Sequence, residues 1–422
     1  MPVLSESTVL PVGVDLLFSK FITLPLLGLL SYFIYTKTPT SSLKSGQQIK
    51  EPVVKKTTKE YLVPTKEPEF QYSTLDIQPV GTDFNWSVTP PIKYRPFKKG
   101  EYKLVMGINN IPNEEWLLME DTYSDFTNLK KSFCEDPEIS KHINYLPEDD
   151  DNSVLAMKEY YEAVVDFMLK RYPMYFSKVA KDGVMMLYNS VNDDFIEFDP
   201  EDVQPVSKLV TNLARTIEED FIILYPDSQD LEGEYLWKGG HVGFASGFYP
   251  SNLFNKPLTD IHAKVPEYKT KLRPSMNKFF DKVKTGVFVR RNNWSLQVDP
   301  RLLIFAGKKG LEGATITSLD PGSLDYKREV FFRSERQALT RLHRTKAIVF
   351  TIRTYMTCLQ DIRDEGLGDE LIGGITGMQE ILGIYKNRPK WGDAAVEFLR
   401  GNTDGTDKPW IQKYVDVPEQ QG

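Results

Sequence analysis

The feature that most constrains this 422-residue chain is an uncharged, apolar run of 16 residues near its N-terminus, from Phe21 to Thr36. As a helix, a run of this length measures about 24 Å, which is short of the roughly 30 Å hydrocarbon layer of a bilayer. Extended back to Leu16, with Lys20 snorkelling to the interface, it becomes long enough to span. We therefore predict a transmembrane helix over residues 16–36. A cleaved signal peptide and a buried helix of the globular domain are the alternatives.

The charges that flank this run predict its orientation. Two acidic residues and one lysine precede it, whereas six lysines follow it between residues 37 and 59. Basic residues concentrate on the cytoplasmic side of a membrane segment. We therefore predict a single-pass membrane protein with a cytosolic main domain, and the presence of only two cysteines, Cys134 and Cys358, agrees with that compartment.

The chain after the apolar run divides into a tether, one large domain and a short tail. Residues 37–90 mix Lys, Thr, Ser, Pro and Glu without a sustained apolar period, which predicts a flexible tether. We place the folded domain at residues 91–412 and a tail at 413–422. A hydrophobic content of 41%, with 12% aromatic residues, is enough to build the core of such a domain.

Periodicity within the domain predicts both helices and strands. Apolar residues recur at helical spacing in four segments: Val154–Tyr172, Val206–Glu218, Glu335–Leu342 and Ala394–Arg400. Runs rich in Val, Ile, Phe and Tyr predict four strands: Val184–Tyr188, Phe221–Tyr225, Val287–Val298 and Ala347–Tyr355. The two types are interspersed without a regular βαβ period, so we predict an α+β fold.

Composition and missing motifs exclude several classes of function. With 52 Lys and Arg against 59 Asp and Glu, the net charge of -7 argues against a nucleic-acid binder, which needs a surplus of cations. Two cysteines exclude a disulfide framework and a Cys-rich zinc site. The sequence also lacks the phosphate-binding loop, the dinucleotide fingerprint, the G-x-S-x-G elbow and the H-E-x-x-H zinc motif.

Histidines are scarce, so any metal or haem ligand or imidazole base must come from four residues: His142, His241, His262 and His343. His142 and His343 stand in polar or basic stretches that predict solvated side chains. His262 stands between apolar neighbours, which is typical of a histidine packed in a core and also suits a ligand in an apolar pocket. Both interpretations of His262 stay open on this evidence.

The segment from residue 327 to 355 concentrates arginines in an otherwise acidic chain. On a helix, Arg333, Gln337 and Arg341 would share one face, and in the strand that follows Arg353 and Tyr355 share one side. Guanidinium groups in a row suit carboxylates or phosphates of a bound molecule. A structural lattice of ion pairs within the protein, using glutamates of the same segment, is an equal alternative.

The block SERQALTRLHRTKAIVFTIRTY, residues 334–355, resembles the haem-dependent oxidative N-demethylase α-subunit-like family, whose usual form is E-R-Q-x-L-x-R-L-P-x-[ST] before a strand ending in I-R-T-Y. Further pieces follow the family's order, among them Arg171-Tyr172-Pro173, Ile261-His262 with Val265-Pro266, and Asn293-Trp294. The resemblance spans about residues 95 to 400. One departure is His343, which stands where the family has proline.

The resemblance implies a PAS-like antiparallel sheet with flanking helices that binds haem b. Of the four histidines, His262 alone lies in a family block, so the resemblance implies that it is the axial ligand of the iron. Arg336, Arg341 and Arg353, together with Tyr355, would then bind the haem propionates or a substrate carboxylate. Because no flavin or iron–sulfur motif is present, the electrons would come from a separate reductase.

Together these inferences predict a membrane-tethered haem-binding oxidoreductase. It would activate oxygen to oxidise a small organic substrate, and the resemblance implies oxidative N-demethylation of a methylated amine. The alternative is a non-catalytic PAS-like protein that binds haem or a small molecule as a sensor or interaction module.

Overall fold

A computed structural model of the chain describes five ranges: 71–97, 99–102, 105–226, 233–305 and 317–409. All of them belong to one compact unit, residues 59–422. The predicted transmembrane helix at 16–36, the first part of the tether and the tail at 413–422 lie outside the described residues. Among the described helices, none is both long enough and apolar enough to cross a membrane.

The described residues contribute ten β-strands, which pair antiparallel in two sheets. The strands are β1 Asn109–Ile111, β2 Asn144–Tyr145, β3 Phe176–Lys181, β4 Val184–Asn189, β5 Asp194–Glu197, β6 Asp220–Pro226, β7 Tyr235–His241, β8 Phe288–Val298, β9 Val330–Arg341 and β10 Ile348–Cys358. Seven of them form one large sheet in the order β1-β8-β9-β10-β6-β7-β2. The other three, β3, β4 and β5, form a small sheet.

The same ranges contain ten α-helices that flank the large sheet. They are α1 Tyr123–Glu135, α2 Pro137–Ile143, α3 Asp151–Arg171, α4 Lys208–Ala214, α5 Leu258–Ile261, α6 Arg273–Lys282, α7 Leu359–Asp364, α8 Gly368–Thr376, α9 Glu380–Tyr385 and α10 Arg388–Leu399. A large antiparallel sheet with flanking helices confirms the predicted α+β class. The likeness to a PAS fold stays a prediction.

Local sequence signals fix where two of the described helices, α2 and α3, begin. The Asp136 side chain accepts a hydrogen bond from the backbone N–H of Glu138 at 2.8 Å, and Pro137 occupies the first position of α2. Asp150 caps α3 in the same way, accepting from the N–H of Ser153 at 3.3 Å. Such caps satisfy backbone donors that a helix leaves unpaired in its first turn.

The register between β9 and β10 decides which side chains share a face of the sheet. Arg336 lies directly opposite Arg353. Directly opposite residues of antiparallel strands point to the same face, and neighbours along a strand alternate between faces. Arg336 and Arg353 therefore leave the sheet on one side, whereas Arg333, Glu335 and Gln337 leave it on the other.

The face that carries Arg336 and Arg353 packs against helix α3, and we call it the α3 face. Sheet and helix residues share one apolar cluster, which includes Phe221, Ile223, Phe288, Ala338 and Val349 from the sheet and Ala156, Tyr160, Val164, Phe167 and Met168 from α3. At the far end of the same face, α7, α8 and α10 pack on Trp294 and Phe332. This face is therefore the main core of the domain.

The opposite face carries charged and amide side chains at its centre, and we call it the polar face. It is defined by Arg291, Asn293, Arg333, Glu335 and Gln337, which the pairing of β8 with β9 places side by side. An apolar cluster formed with α5, α6 and a π-helix at Tyr268–Leu272 covers one end of this face. The centre is less completely covered than the α3 face.

Residues 71–90, which the sequence assigned to the end of the tether, belong to the domain. The side chains of Tyr72 and Ile77 are buried, and the Tyr72 hydroxyl donates to Glu159 on α3 at 2.9 Å. The Lys170 ammonium also donates to the backbone carbonyl of Leu75 at 2.7 Å. A polar composition predicted a tether, but a few apolar anchors on α3 are enough to order this stretch.

Most of the predicted elements are confirmed, and one is wrong. The four predicted strands correspond to β4, β6, β8 and β10, and the long helix predicted at Val154–Tyr172 is α3. The helix predicted at Glu335–Leu342 is instead part of strand β9. Because nearly every residue of β9 is buried, on both faces, its sequence lacks the alternation of polar and apolar residues that marks a half-buried strand.

We predict that Gly240→Ala destabilises the domain more than an alanine at another positive-φ glycine. Gly240 has a φ of 142°, and a Cβ there would lie 2.1 Å from the carbonyl oxygen of Phe221. Gly366, the control, has a φ of 73° with nothing within 4 Å of its Cβ position. The control should lose about 1–2 kcal/mol of unfolding free energy and Gly240→Ala more than about 3 kcal/mol. Equal losses in urea denaturation would contradict the close approach at Gly240.

Candidate functional site

His262 lies at the C-terminal end of α5, with its ring half-buried. Its Nδ1 is 2.8 Å from the backbone carbonyl oxygen of Leu258. A carbonyl only accepts hydrogen bonds, so Nδ1 carries the proton and the lone pair of the ring is on Nε2. The ring also lies flat against Tyr268, with 4.5 Å between centroids and an angle of 7°. Metal-binding histidines are commonly fixed in this tautomer by a backbone carbonyl.

The centre of the polar face has a partly exposed apolar floor beside its polar groups. On β10, the α3-face residues from Val349 to Tyr355 are buried, whereas Phe350, Ile352 and Met356 on the polar face are partly exposed. Ile222, which pairs with Phe350, is partly exposed as well. A concave or flat apolar surface with a few polar groups at its edge is typical of a small-molecule site.

His262 and the polar face lie on the same side of the sheet. Tyr268, which stacks on His262, belongs to the apolar cluster that includes Val289 and Leu339. Val289 lies two residues before Arg291 on β8, and Leu339 lies two residues after Gln337 on β9, so both project to the same side as the polar face. The imidazole therefore lies beside the end of this face.

Hydrogen bonds join the side chains of the polar face into a row. Arg291 Nη1 donates to Gln337 Oε1 at 2.8 Å, and Gln337 Nε2 donates to Glu335 Oε2 at 2.9 Å. The Asn293 amide donates to the same Glu335 oxygen at 3.3 Å. These bonds hold one carboxylate and two amides in fixed positions at the centre of the sheet.

Arg333 stands at the end of this row with one donor unsatisfied. Its Nη1 donates to the carbonyl of Leu302 at 3.1 Å, and its Nη2 donates to the carbonyl of Phe244 at 2.5 Å. Its Nε is buried and has no hydrogen-bond partner among the described residues. The nearest carboxylate oxygen, on Glu335, is 3.8 Å away. Burial lowers the pKa of this guanidinium, although it stays charged at any physiological pH.

The α3 face holds a buried ionic cluster that centres on Arg353. Its Nε donates to Glu120 Oε2 at 2.8 Å, its Nη2 to Glu218 Oε2 at 2.6 Å, and its Nη1 lies 3.4 Å from Glu219 Oε1. Tyr355 joins the cluster by donating its hydroxyl proton to Glu120 at 3.3 Å. All five residues are buried, so one cation faces three carboxylates in a medium of low dielectric.

The carboxylates gathered around Arg353 contribute to a raised pKa of Glu218. Burial raises its pKa to about 7, and the Arg353 guanidinium only partly offsets the effect. The neighbouring Glu120 and Glu219 raise the pKa further because they repel a second negative charge. The cluster therefore holds a proton near neutral pH.

The guanidinium groups of Arg336 and Arg341 donate hydrogen bonds to backbone carbonyls of the protein. Arg336 Nη1 donates to the carbonyl of Trp116 at 3.3 Å, and its Nη2 donates to that of Glu115. Arg341 Nε donates to the carbonyl of Val283 at 2.9 Å, so it fastens the end of α6 to β9. Each guanidinium positions a segment of the domain.

The structure does not gather the five predicted cofactor-binding residues into one site. Arg336, Arg353 and Tyr355 lie on the α3 face, engaged by protein groups, whereas His262 lies beside the polar face. Arg341 leaves β9 on the same side as the polar face but is engaged by carbonyls. Because the sheet stands between the two groups, one haem cannot contact both.

The glutamates around Arg353 were missed by the sequence analysis. Glu120 and Glu218 are separated from Arg353 by 233 and 135 positions, and no local pattern reports contacts at such distances. The one available signal was the acidic run at residues 218–220, directly before an apolar strand. Acidic residues that begin a buried strand need a partner, which the sequence does not name.

His241 belongs to a second buried group, next to the start of β6. Its Nδ1 lies 2.6 Å from Asn144 Oδ1, and its Nε2 lies 3.9 Å from Asp220 Oδ1. Lys130 Nζ is also 3.9 Å from Asp220 Oδ1. Burial, and then Lys130, hold the pKa of His241 well below its ordinary value. The imidazole is therefore neutral and fully enclosed by protein.

Two further observations bear on ligand sites. Within the described ranges, no group of three or more His, Cys, Asp or Glu side chains converges to hold a metal ion. A small pocket lies on the α3 face between Tyr72, Trp116, Phe167 and His343. This pocket is on the other side of the sheet from His262.

A comparison with protein-family models identifies a family for this chain. The model described as haem-dependent oxidative N-demethylase, alpha subunit-like, covers residues 107–396. The chain belongs to this family. The resemblance predicted from the arginine-rich block is thereby confirmed, and the matched range contains His262 and both faces of the large sheet.

The residues beside the polar face fit the haem that the family name implies. His262 has the proton on Nδ1 and the lone pair on Nε2, as an axial ligand requires. Phe350 and Ile352 provide apolar surface on the polar face.

We predict that Arg353→Met strongly destabilises the domain. Removing the cation leaves three buried carboxylates unpaired, which should cost about 3–5 kcal/mol of unfolding free energy. Arg400→Met is the control, because the Arg400 side chain is 54% exposed and lies 3.5 Å from Glu397. The control should change the unfolding free energy by less than about 1 kcal/mol. Similar losses for the two variants would contradict a central role for the cluster.

We also predict that Glu218 makes the domain less stable as the pH rises from about 5 to 7. The folded state keeps the Glu218 proton up to a pKa of about 7, whereas an unfolded chain releases it near 4.5. The folded state thus binds more protons in this window, and raising the pH favours unfolding by up to about 1.4 kcal/mol per pH unit. Glu218→Gln should reduce this slope, and Glu218→Asp, which keeps a carboxyl group, should retain it. Denaturation at several pH values measures both slopes, and identical slopes for Gln and wild type would disprove the assignment.

Proposed function

We propose that the protein binds haem through His262 and uses it, with molecular oxygen, to oxidise a small organic substrate. The observation that carries the proposal is the state of His262: within the family match, its Nδ1–H is held by the Leu258 carbonyl, which leaves the lone pair on Nε2. The family's name supports oxidative N-demethylation, and we propose a methylated amine as the substrate class.

Different residues of the chain would hold different parts of the haem. His262 would supply the axial ligand, and Tyr268 would fix the plane of its ring by stacking. Phe350 and Ile352 would offer apolar surface to the flat porphyrin. We infer haem b, because no pair of cysteines stands beside a histidine for covalent attachment.

Haem iron would supply the oxygen chemistry when bound, and the protein would supply orientation, electrostatics and the exclusion of water. Glu335, fixed by Gln337 and Asn293, is a carboxylate of the polar face. We propose that it attracts the cationic amine of the substrate, since opposite charges interact strongly where water is partly excluded. A separate reductase protein would deliver the electrons.

The N-terminal run at residues 16–36 supports a further proposal, that the protein is held at a membrane with its main domain in the cytosol. Its support is the uncharged run itself and the six lysines that follow it between residues 37 and 59.

We predict that His262→Ala abolishes the Soret band of the purified protein, because the iron loses its axial ligand. His142→Ala is the matched control: its ring is also half-buried and bonded through Nδ1, to the Ser251 hydroxyl at 2.8 Å, and it should leave the spectrum unchanged. A wild-type protein that stays colourless after expression with ample iron and porphyrin precursor would refute haem binding.

Substrate-dependent oxygen consumption then separates an enzyme from a haem sensor. With a reductant and a panel of methylated amines, an enzyme should consume oxygen and release formaldehyde, and His262→Ala should do neither. A Soret band without any turnover would favour the sensor.

A further inference from the structure

The segment between Lys256 and Lys284, which contains His262, carries a charge opposite to that of the whole chain. It holds eight Lys and Arg against three Asp and Glu, a surplus of five positive charges, whereas the net charge of the protein is -7. Positive potential concentrated on one part of an acidic protein attracts acidic partners and steers their approach.

The cations of this segment lie on its outer side. We call six exposed residues the lysine surface: Lys256, Lys264, Lys269, Lys278, Lys282 and Lys284. None of the six forms an ion pair with an acidic side chain of the described ranges. On α6, Lys278 and Lys282 are one turn apart and thus neighbours on one helix face. Within the described ranges these six exposed ammonium groups have no acidic partner, so an acidic surface that covers them is favoured.

The inner side of the same segment is apolar and packs on the sheet. Tyr268, Leu272, Phe280 and Val283 are buried in the cluster that covers the end of the polar face. His262 stacks on Tyr268 and is itself half-buried. The imidazole therefore lies where this apolar layer meets the lysine-bearing exterior.

The exposed groups suit a folded protein better than a lipid surface. Segments that bind membranes combine lysines with exposed apolar or aromatic side chains that enter the bilayer. The large hydrophobic residues that are exposed in the described part of the chain all lie outside residues 256–284. An interface of charges with little apolar area is typical of short-lived redox encounters, which are weak and steered by electrostatics.

We propose that the lysine surface docks an acidic electron-donor protein close to His262. The proposal rests on the proposed function, because it takes His262 as the haem ligand. Docking itself forms no covalent bond. In each encounter the reduced donor would lose one electron, and a haem held by His262 would take it up.

The test measures binding of a probe to the full-length protein, separately from any turnover. The probe is a plant-type [2Fe–2S] ferredoxin, a small carrier with a strongly acidic surface. We predict that it binds at low ionic strength and that the double variant Lys278→Glu/Lys282→Glu weakens binding at least about tenfold. Raising the salt from about 20 mM to about 200 mM should weaken wild-type binding by a similar factor.

The control is Lys178→Glu/Lys181→Glu, which makes the same change in net charge on two exposed lysines of β3. This variant should bind ferredoxin within about twofold of wild type. Circular dichroism of both variants checks that they fold. Absence of ferredoxin binding, or equal weakening by the two variants, would overturn the lysine surface as the docking site.

Two further measurements show whether a negative result refutes the docking proposal or the proposed function. The Soret band of the same samples reports haem binding, so a colourless protein that still binds ferredoxin through Lys278 and Lys282 refutes the function and leaves the surface supported. Vesicles of phosphatidylcholine with phosphatidylserine are the second probe. If they bind through these two lysines while ferredoxin does not, the surface belongs to a membrane and the protein-docking proposal fails.

Discussion

The fold depends on how the charge of Arg353 is buried. This side chain crosses from strand β10 to Glu120 on one loop and to Glu218 and Glu219 on another, so a single guanidinium fixes two segments that are far apart in sequence. Such a cluster is costly to assemble, because each charge loses its hydration, and it is stabilising only in the complete arrangement. The helices and loops over the α3 face are therefore held in one geometry against the sheet beneath them.

The two faces of the large sheet have different roles. The α3 face is closed by helices and by the arginine cluster, and its arginines Arg336 and Arg353 donate to carbonyls and carboxylates of the protein. The polar face keeps half-exposed apolar residues, a fixed carboxylate at Glu335 and the unsatisfied donor of Arg333. His262 lies at the edge of this second face, on a segment that is apolar inside and basic outside. Binding, electron delivery and substrate orientation can thus be placed on one side of the sheet.

The sequence predicted local structure well where one face of an element was exposed or one apolar run was continuous. Helix α3 and strands β6, β8 and β10 were found in this way. Strand β9 was mistaken for a helix because it is covered on both faces and its arginines break the apolar pattern. The shared side of Arg333, Gln337 and Arg341 was nonetheless found, since these positions share a face in a strand as well as in a helix.

The sequence by itself determined the family, the α+β class and the choice of His262 as the candidate ligand, because motifs and periodicity are local properties that a chain shows before it folds. Only the tertiary structure decided which arginines stand together. It placed Arg336 and Arg353 on one face through the register of β9 and β10, and His262 beside the other. It also brought to Arg353 two glutamates that lie more than 100 positions away in the sequence. The physical reason is that a buried guanidinium must find carboxylates or carbonyls wherever the fold brings them, and spacing along the chain does not encode that distance.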